Sequence, residues 1–176
     1  MLPRLQAHNS VMPMDLFLFT TANSVAAWTS VDDKVMGGCS TSLLRYDPMG
    51  YAVFEGTVKP ENNGGFASVR THAMDLGVKS ASAYVLKLKS DGKRYKFNLR
   101  MEDNFDGVVY QTAFVTPAGV WTSLHLPVSQ FTATFRGRTV PDAPSLDPVL
   151  VRQAGFMIAD RQMGDFSLKV QSIGTV

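Results

Sequence analysis

The sequence predicts an all-β fold, an antiparallel β-sandwich, and three observations carry that expectation. Apolar and polar residues alternate with period two over residues 94–101, where Tyr95, Phe97, Leu99 and Met101 interleave with Arg94, Lys96, Asn98 and Arg100, as a strand with one buried face requires. Similar short runs recur throughout the chain, separated by turn-forming Asn-Asn-Gly-Gly, Pro-Ala-Gly and Met-Gly-Asp tracts. No segment holds apolar residues at i, i+3, i+4 and i+7 over a useful length, so helix is confined to a turn or two at residues 22–28 and 127–131.

In chain order, the strand-length apolar stretch Leu16-Phe17-Leu18-Phe19 opens the domain. Runs rich in Val, Phe, Tyr and Thr follow at residues 50–58, 65–71, 84–89, 94–101, 108–116, 120–126, 155–159 and 165–170. In the last of them Phe166, Leu168 and Val170 share one face and Ser167 and Lys169 the other. Asp91-Gly92 lies between the third and fourth of these runs and predicts a hairpin, because such a pair supplies the left-handed backbone that tight turns need. That hairpin would align Lys87, Lys89, Arg94, Lys96 and Arg100 as a basic stripe on one sheet face. Residues 138–148, with Pro141, Pro144 and Pro148, read as a long loop. Residues 1–14 read as an irregular arm and residues 15–176 as one domain, a length that buries roughly 70% of its unfolded surface without staples.

Composition narrows function. Seventeen Lys and Arg face fifteen Asp and Glu, a net charge of +2, which excludes a binder driven by phosphate neutralisation. Charged residues are 18% of the chain and hydrophobic ones 45%, so a good part of the surface is uncharged. Cys39 is the single cysteine, leaving no disulfide framework and suiting a reducing compartment. No window reaches the ~18 apolar residues of a membrane helix, so direct membrane insertion is not expected. The start of the sequence lacks the apolar core of a secretory signal, and an intracellular protein is the expectation.

Catalytic and metal motifs are sparse. There is no phosphate-binding Gly-x4-Gly-Lys-Ser/Thr and no Gly-x-Gly-x-x-Gly, and His8, His72 and His125 lie far apart, so neither cofactor nor metal is expected. Ser40, His125 and Asp160 supply the residue types of a hydrolase triad, without the Gly-x-Ser-x-Gly elbow. The adjacent carboxylates Asp32-Asp33 and Glu102-Asp103 read either as solvated turns or as part of a calcium site, and neighbours on a strand point to opposite faces.

Two segments stand out. Residues 31–40 (VDDKVMGGCS) and 61–70 (ENNGGFASVR) combine glycines, hydrogen-bonding side chains and an apolar residue, the make-up of recognition loops on a rigid sandwich. At these blocks the sequence resembles the complex I intermediate-associated protein 30 family. The resemblance includes Trp28, Asp33 to Ser40, Phe54-Glu55-Gly56, Asn62 to Arg70, Asp91 to Phe97, Tyr110-Gln111, Phe114, Trp121, Leu126-Pro127, Phe131, Arg136-Gly137-Arg138, Gly155 to Ile158 and Gly164 to Leu168, in order, over residues 15–173. It implies a jelly-roll, galactose-binding-like sandwich and a non-enzymatic role as a chaperone-like assembly factor. Its implied partners are subunits or assembly intermediates of respiratory complex I (NADH:ubiquinone oxidoreductase) or a related membrane electron-transfer complex. The implied compartment is the mitochondrion or plastid in a eukaryote and the cytoplasm in a bacterium.

The partner-binding residues expected on this reading are Met36 and Phe66 as apolar contacts, with Asp33, Ser40, Asn63, Arg70, Arg94 and Lys96 as polar ones. Asp33 and Arg70 also admit a second reading, as groups buried against each other that hold the loops together. The alternative function is a carbohydrate-binding module, which needs Tyr or Trp presented flat to solvent; Tyr84, Tyr95, Tyr110 and Trp121 are the candidates.

Overall fold

The structure, a computed structural model, describes residues 13–176, apart from the side chains of Val35, Met36 and Asn63. Among these residues the chain forms two packed antiparallel sheets, and its helical content is short 3-10 turns. Two of those turns, Ala22–Val25 and Val128–Gln130, fall where the sequence allowed a turn of helix. Of the arm expected over residues 1–14, residues 1–12 lie outside the described residues and Met14 already begins the first strand.

The first sheet is organised around β13 (Gly164–Thr175), a strand of 12 residues. Its first half pairs with β4 (Tyr51–Val58), and β1 (Met14–Leu18) takes over that edge where β4 ends, so that Phe17 lies opposite Ile173. Its other edge pairs with β6 (Ala83–Ser90), shifted by a bulge at Gln171. Strand β3 (Thr41–Asp47) closes the β4 side and β9 (Thr122–Pro127) the β6 side, giving six strands.

The second sheet has seven strands. Its centre is β12 (Gln153–Ile158), flanked by β5 (Ala67–Thr71) and β7 (Tyr95–Arg100). Beyond β5 comes β2 (Trp28–Ser30); beyond β7 come β8 (Val109–Phe114), β10 (Thr132–Phe135) and the two-residue β11 (Arg138–Thr139).

Alternation aims the apolar residues of both sheets at the space between them. Phe54, Phe97, Tyr95, Phe156, Phe166 and Leu168 are buried there, and Tyr84 joins them. Phe54 meets Phe166 edge-on at 4.9 Å between ring centroids, and Phe97 meets Phe156 at 5.4 Å. Aromatic pairs at such angles add about 0.5–1.5 kcal/mol each beyond the area they bury. The high aromatic content of a weakly charged chain is thus largely a filled core.

The expected hairpin at Asp91-Gly92 does not form. Strand β6 belongs to the six-stranded sheet and β7 to the seven-stranded one, so the connection crosses between layers. Both two-residue hairpin turns require left-handed backbone at the first central residue, and here Asp91 lacks it while Gly92 has it, at φ 89°. Asp91 instead stitches the crossing: its carboxylate accepts from the Lys93 N–H at 3.1 Å, the Tyr95 hydroxyl at 2.9 Å and the Ser167 N–H at 2.9 Å. The basic stripe is consequently divided, with Lys87 and Lys89 on one sheet and Lys96 and Arg100 on the other. Tyr95→Phe removes one bond of this stitch without opening a cavity, and is expected to lower unfolding free energy by about 1–2 kcal/mol in urea titration.

Candidate functional site

The two distinctive sequence blocks form a single lock, and Asp33 is its centre. Its side chain is wholly buried and accepts hydrogen bonds from the Ser40 N–H at 2.8 Å, the Ser40 hydroxyl at 2.5 Å and the Gly65 N–H at 2.8 Å. Ser40 is buried too, and its oxygen accepts from the Lys59 N–H at 2.9 Å. Burial opposes ionisation of Asp33, but the bonds from Ser40, Gly65 and Phe66 outweigh it and hold the carboxyl below its usual range.

The glycines follow from this geometry. A Cβ on Gly38 would stand 2.3 Å from the Asp33 carboxyl carbon, and one on Gly64 would stand 2.4 Å from a carboxylate oxygen. Asp32, pointing the other way, accepts from the Ser42 N–H at 2.9 Å, the Ser42 hydroxyl at 2.5 Å and the Ser68 N–H at 3.0 Å. These two carboxylates therefore tie the loop before β3 to the loop before β5 and to β5 itself, and their oxygens are occupied by protein donors rather than arranged around a cation. Asp33 and Ser40, expected as partner contacts, are corrected to parts of this lock, since neither reaches the surface. The alternative pairing of Asp33 with Arg70 is corrected as well: both are buried, but Arg70 bonds elsewhere. The side chains of Met36 and Asn63 lie outside the described residues.

The lock sits beside a cleft of about 750 Å³ on the outer face of the seven-stranded sheet. Strand register builds its floor: Arg70 of β5, Gly155 of β12, Asn98 of β7 and Gln111 of β8 lie side by side across four strands. The Gln111 amide donates to the Asn98 carbonyl oxygen at 3.0 Å, which fixes both amide orientations. Met157 and Lys96 face each other in the next row, and Gln153 and Arg100 in the row on the other side. The half-buried Phe66 forms part of the wall.

Residues 101–108, between β7 and β8, fold over one end of the cleft. Phe105 lays its ring 3.9 Å from the Arg70 guanidinium carbon, while its carbonyl accepts from Arg70 Nη1 at 2.8 Å. Arg100 donates to the Gly107 carbonyl at 3.2 Å, and Gln153 donates to the carbonyls of Glu102 at 2.7 Å and Asn104 at 3.1 Å. Glu102 and Asp103 are exposed, and Asp103 pairs with Arg152 at 2.7 Å. Burial, reinforced by the nearby charge of Arg70, pushes Arg100 down to about 10, with Asp106 opposing in part. Arg70 is lowered by burial as well.

The remaining expected residues are dispersed. Lys96 lies in the cleft and pairs with Asp160 at 3.5 Å; Arg94 is exposed outside it, 3.9 Å from the same carboxylate. The would-be triad does not assemble: Ser40 is inside the lock, His125 projects from β9 of the opposite sheet, and Asp160 pairs with Lys96 and Arg94. Of the aromatic candidates for a sugar platform, Tyr84, Tyr95 and Tyr110 are buried, and Trp121 stands near Tyr51, at 5.4 Å, by the six-stranded sheet. Asn98, Gln111, Gln153 and Phe105 were not singled out by sequence reasoning. Asn98 at an outward position of an otherwise readable strand was the available signal; the other three gain meaning only through register across strands.

Comparison with known proteins settles the family. The family model described as Complex I intermediate-associated protein 30 matches residues 17–170. The chain belongs to the complex I intermediate-associated protein 30 family. A Drosophila melanogaster member named as the mitochondrial protein of that family is 26% identical over 90% of this chain, and the match spans 61% of the fly protein's length. An uncharacterised Schizosaccharomyces pombe protein is 31% identical over 84% of this chain and 76% of its own. The mitochondrial family protein of Neurospora crassa is 23% identical over 92% and 72%. Among solved structures, a family 11 carbohydrate-binding module from Clostridium thermocellum in complex with a β-1,3-1,4-mixed-linked tetrasaccharide superposes with TM-score 0.70 at 18% identity, covering 93% of this chain and 95% of the module. The same family's module of the cellulase Lic26A-Cel5E gives 0.71 at 17%, covering 95% of each. At such identities the likeness shows the fold, a jelly-roll sandwich of the carbohydrate-binding-module type.

Proposed function

We propose that this domain of the complex I intermediate-associated protein 30 family is a non-enzymatic, chaperone-like assembly factor. It holds a subunit or assembly intermediate of respiratory complex I, or of a related membrane electron-transfer complex, against the outer face of its seven-stranded sheet. In a eukaryotic cell it acts in the mitochondrion, the compartment named for the fly and Neurospora relatives. One observation carries the reading: the family match runs through both sheets, and the cleft on the seven-stranded one is lined by amides and guanidinium groups suited to binding. Affinity capture of the tagged protein from its native organism, in mild detergent at low salt, is expected to recover complex I subunits; recovery of none would count decisively against the assembly role.

The carbohydrate reading is favoured by the shared fold and by the polar cleft, and opposed by the inward-facing tyrosines. Titration with the mixed-linked tetrasaccharide is expected to give no saturable heat up to about 1 mM, a concentration at which even a site worth only about 4 kcal/mol is half filled. Saturation below that concentration would transfer the cleft to a glycan.

A further inference from the structure

Arg70 and Arg100 are two cations packed into one cleft without a carboxylate partner. Arg70 is nine-tenths buried, and its charged head is held by a single backbone carbonyl and a phenyl ring; its second terminal nitrogen, Nη2, has no hydrogen-bond partner. Arg100 likewise donates to a backbone carbonyl, that of Gly107. The acids at the rim form their ion pairs elsewhere, Asp106 with Arg136 at 2.6 Å and Asp160 with Lys96 and Arg94, so that among the described residues only the more distant charge of Asp106 offsets the two guanidinium groups. A buried guanidinium whose donors are unfilled is costly to maintain, and bidentate carboxylate is the group its planar fork fits. At Gly155, between Arg70 and Asn98, a Cβ would stand 2.7 Å from the Val69 carbonyl oxygen and 3.1 Å from Arg70 Cβ, so the floor beside Arg70 admits no side chain there. Phe105, exposed to 63%, covers the Arg70 face, and Nη2 is enclosed beneath the same cover, so an anion reaches the guanidinium once that ring moves aside.

We propose that the cleft binds the carboxylates of an acidic polypeptide segment, with Arg70 and Arg100 as the paired cations and the amides of Asn98, Gln111 and Gln153 as partners for its backbone. The polypeptide as source of the carboxylates rests on the assembly reading; the charge pair does not. Phe105 then serves as a placeholder that rotates aside or stacks beside the incoming chain. An acidic segment supplies what the cleft lacks, and amide side chains offer a peptide both donors and acceptors.

The probe is hexaglutamate titrated calorimetrically into the whole protein at about 50 mM salt, where screening still permits surface contacts to register. Hexaglutamine serves as the uncharged control, with hexagalacturonate and inorganic phosphate as rival anions. Hexaglutamate is expected to bind and hexaglutamine not, with at least about a tenfold loss in Arg70→Met and in Arg100→Met, the scale of one charge-assisted bond. Lys87→Met, on the opposite sheet, is expected to leave binding unchanged. In the unmutated protein the Arg70 Nε–H resonance is expected to move with saturation, a readout that stands if Arg70→Met fails to fold. Absence of hexaglutamate binding, equal weakening by Lys87→Met, or a stationary Arg70 resonance overturns the site. Tighter binding of hexagalacturonate or phosphate overturns the polypeptide assignment. Hexaglutamate binding with failed capture of complex I subunits sinks the assembly role and leaves the site; capture that persists in Arg70→Met after hexaglutamate binding is gone overturns the cleft as the place where the subunit is held and leaves the role.

Discussion

Asp33→Ala is expected to cost about 3–5 kcal/mol of unfolding free energy, a large part of the ~5–15 kcal/mol that stabilises a typical domain. The loss has two sources. The charged acceptor disappears, and the donors that served it, on Ser40 and Gly65, stay in a buried site without partners. Urea denaturation of variant and parent measures it directly. Asp33→Asn keeps the shape but presents an amide N–H to a site built of donors, so it is expected to recover only part of the loss. The pH dependence has a definite sign. Because the folded protein holds the Asp33 carboxyl below its ordinary 3.8, its contribution is fully present above that value and fades as the pH falls through the lower folded one. The gap in stability between parent and Asp33→Ala is therefore expected to be widest near neutrality and to narrow below about pH 4. A gap that stays constant down to pH 2 would show that the ionised form is not what the lock uses.

Gly38→Ala is the second large effect, about 3 kcal/mol, at the upper end for overpacking, because the added methyl collides with the same carboxylate. The three nearest atoms to that methyl all belong to the Asp33 side chain, and the Gly38 backbone is outside the left-handed region, so alanine meets no conformational obstacle. This makes the two substitutions strongly coupled. In an Asp33→Ala background the obstructing carboxylate is gone, and Gly38→Ala is expected to cost about 1–3 kcal/mol less than it does alone. Simple additivity in the four-member cycle, read from denaturation midpoints, would refute the steric account.

How much of this was legible beforehand differs between fold and site. Alternation placed Tyr95, Phe97, Phe166 and Leu168 in the core, and the structure buries all four. The misreading came where two readable strands flank a short connection: Asp91-Gly92 has hairpin chemistry, yet its side-chain bonds run to Tyr95 and Ser167, and that choice depends on β13, more than seventy residues away. The site was half visible. Residues 31–40 and 61–70 stood out because they are unusual, and they are unusual because a buried carboxylate demands glycines around it; that is a structural reason, and it removes Asp33 and Ser40 from the contact surface. The cleft was hidden because its members come singly from β5, β7, β8 and β12, each looking like an ordinary outward polar residue. Arg70 and Lys96 were found among them, while Asn98, Gln111 and Gln153 acquire meaning only in register.

The placement of β13 has a consequence for how the protein is made. The strand that joins β1, β4 and β6 spans residues 164–175, so a chain growing from the ribosome carries β4 and β6 for more than seventy residues with open edges facing one another across an empty central position. Such edges are templates for wrong pairing, and a sheet that closes only on distant contacts forms slowly, in about milliseconds to seconds. A domain proposed to shelter incomplete chains is itself an unsheltered one until its closing dozen residues arrive.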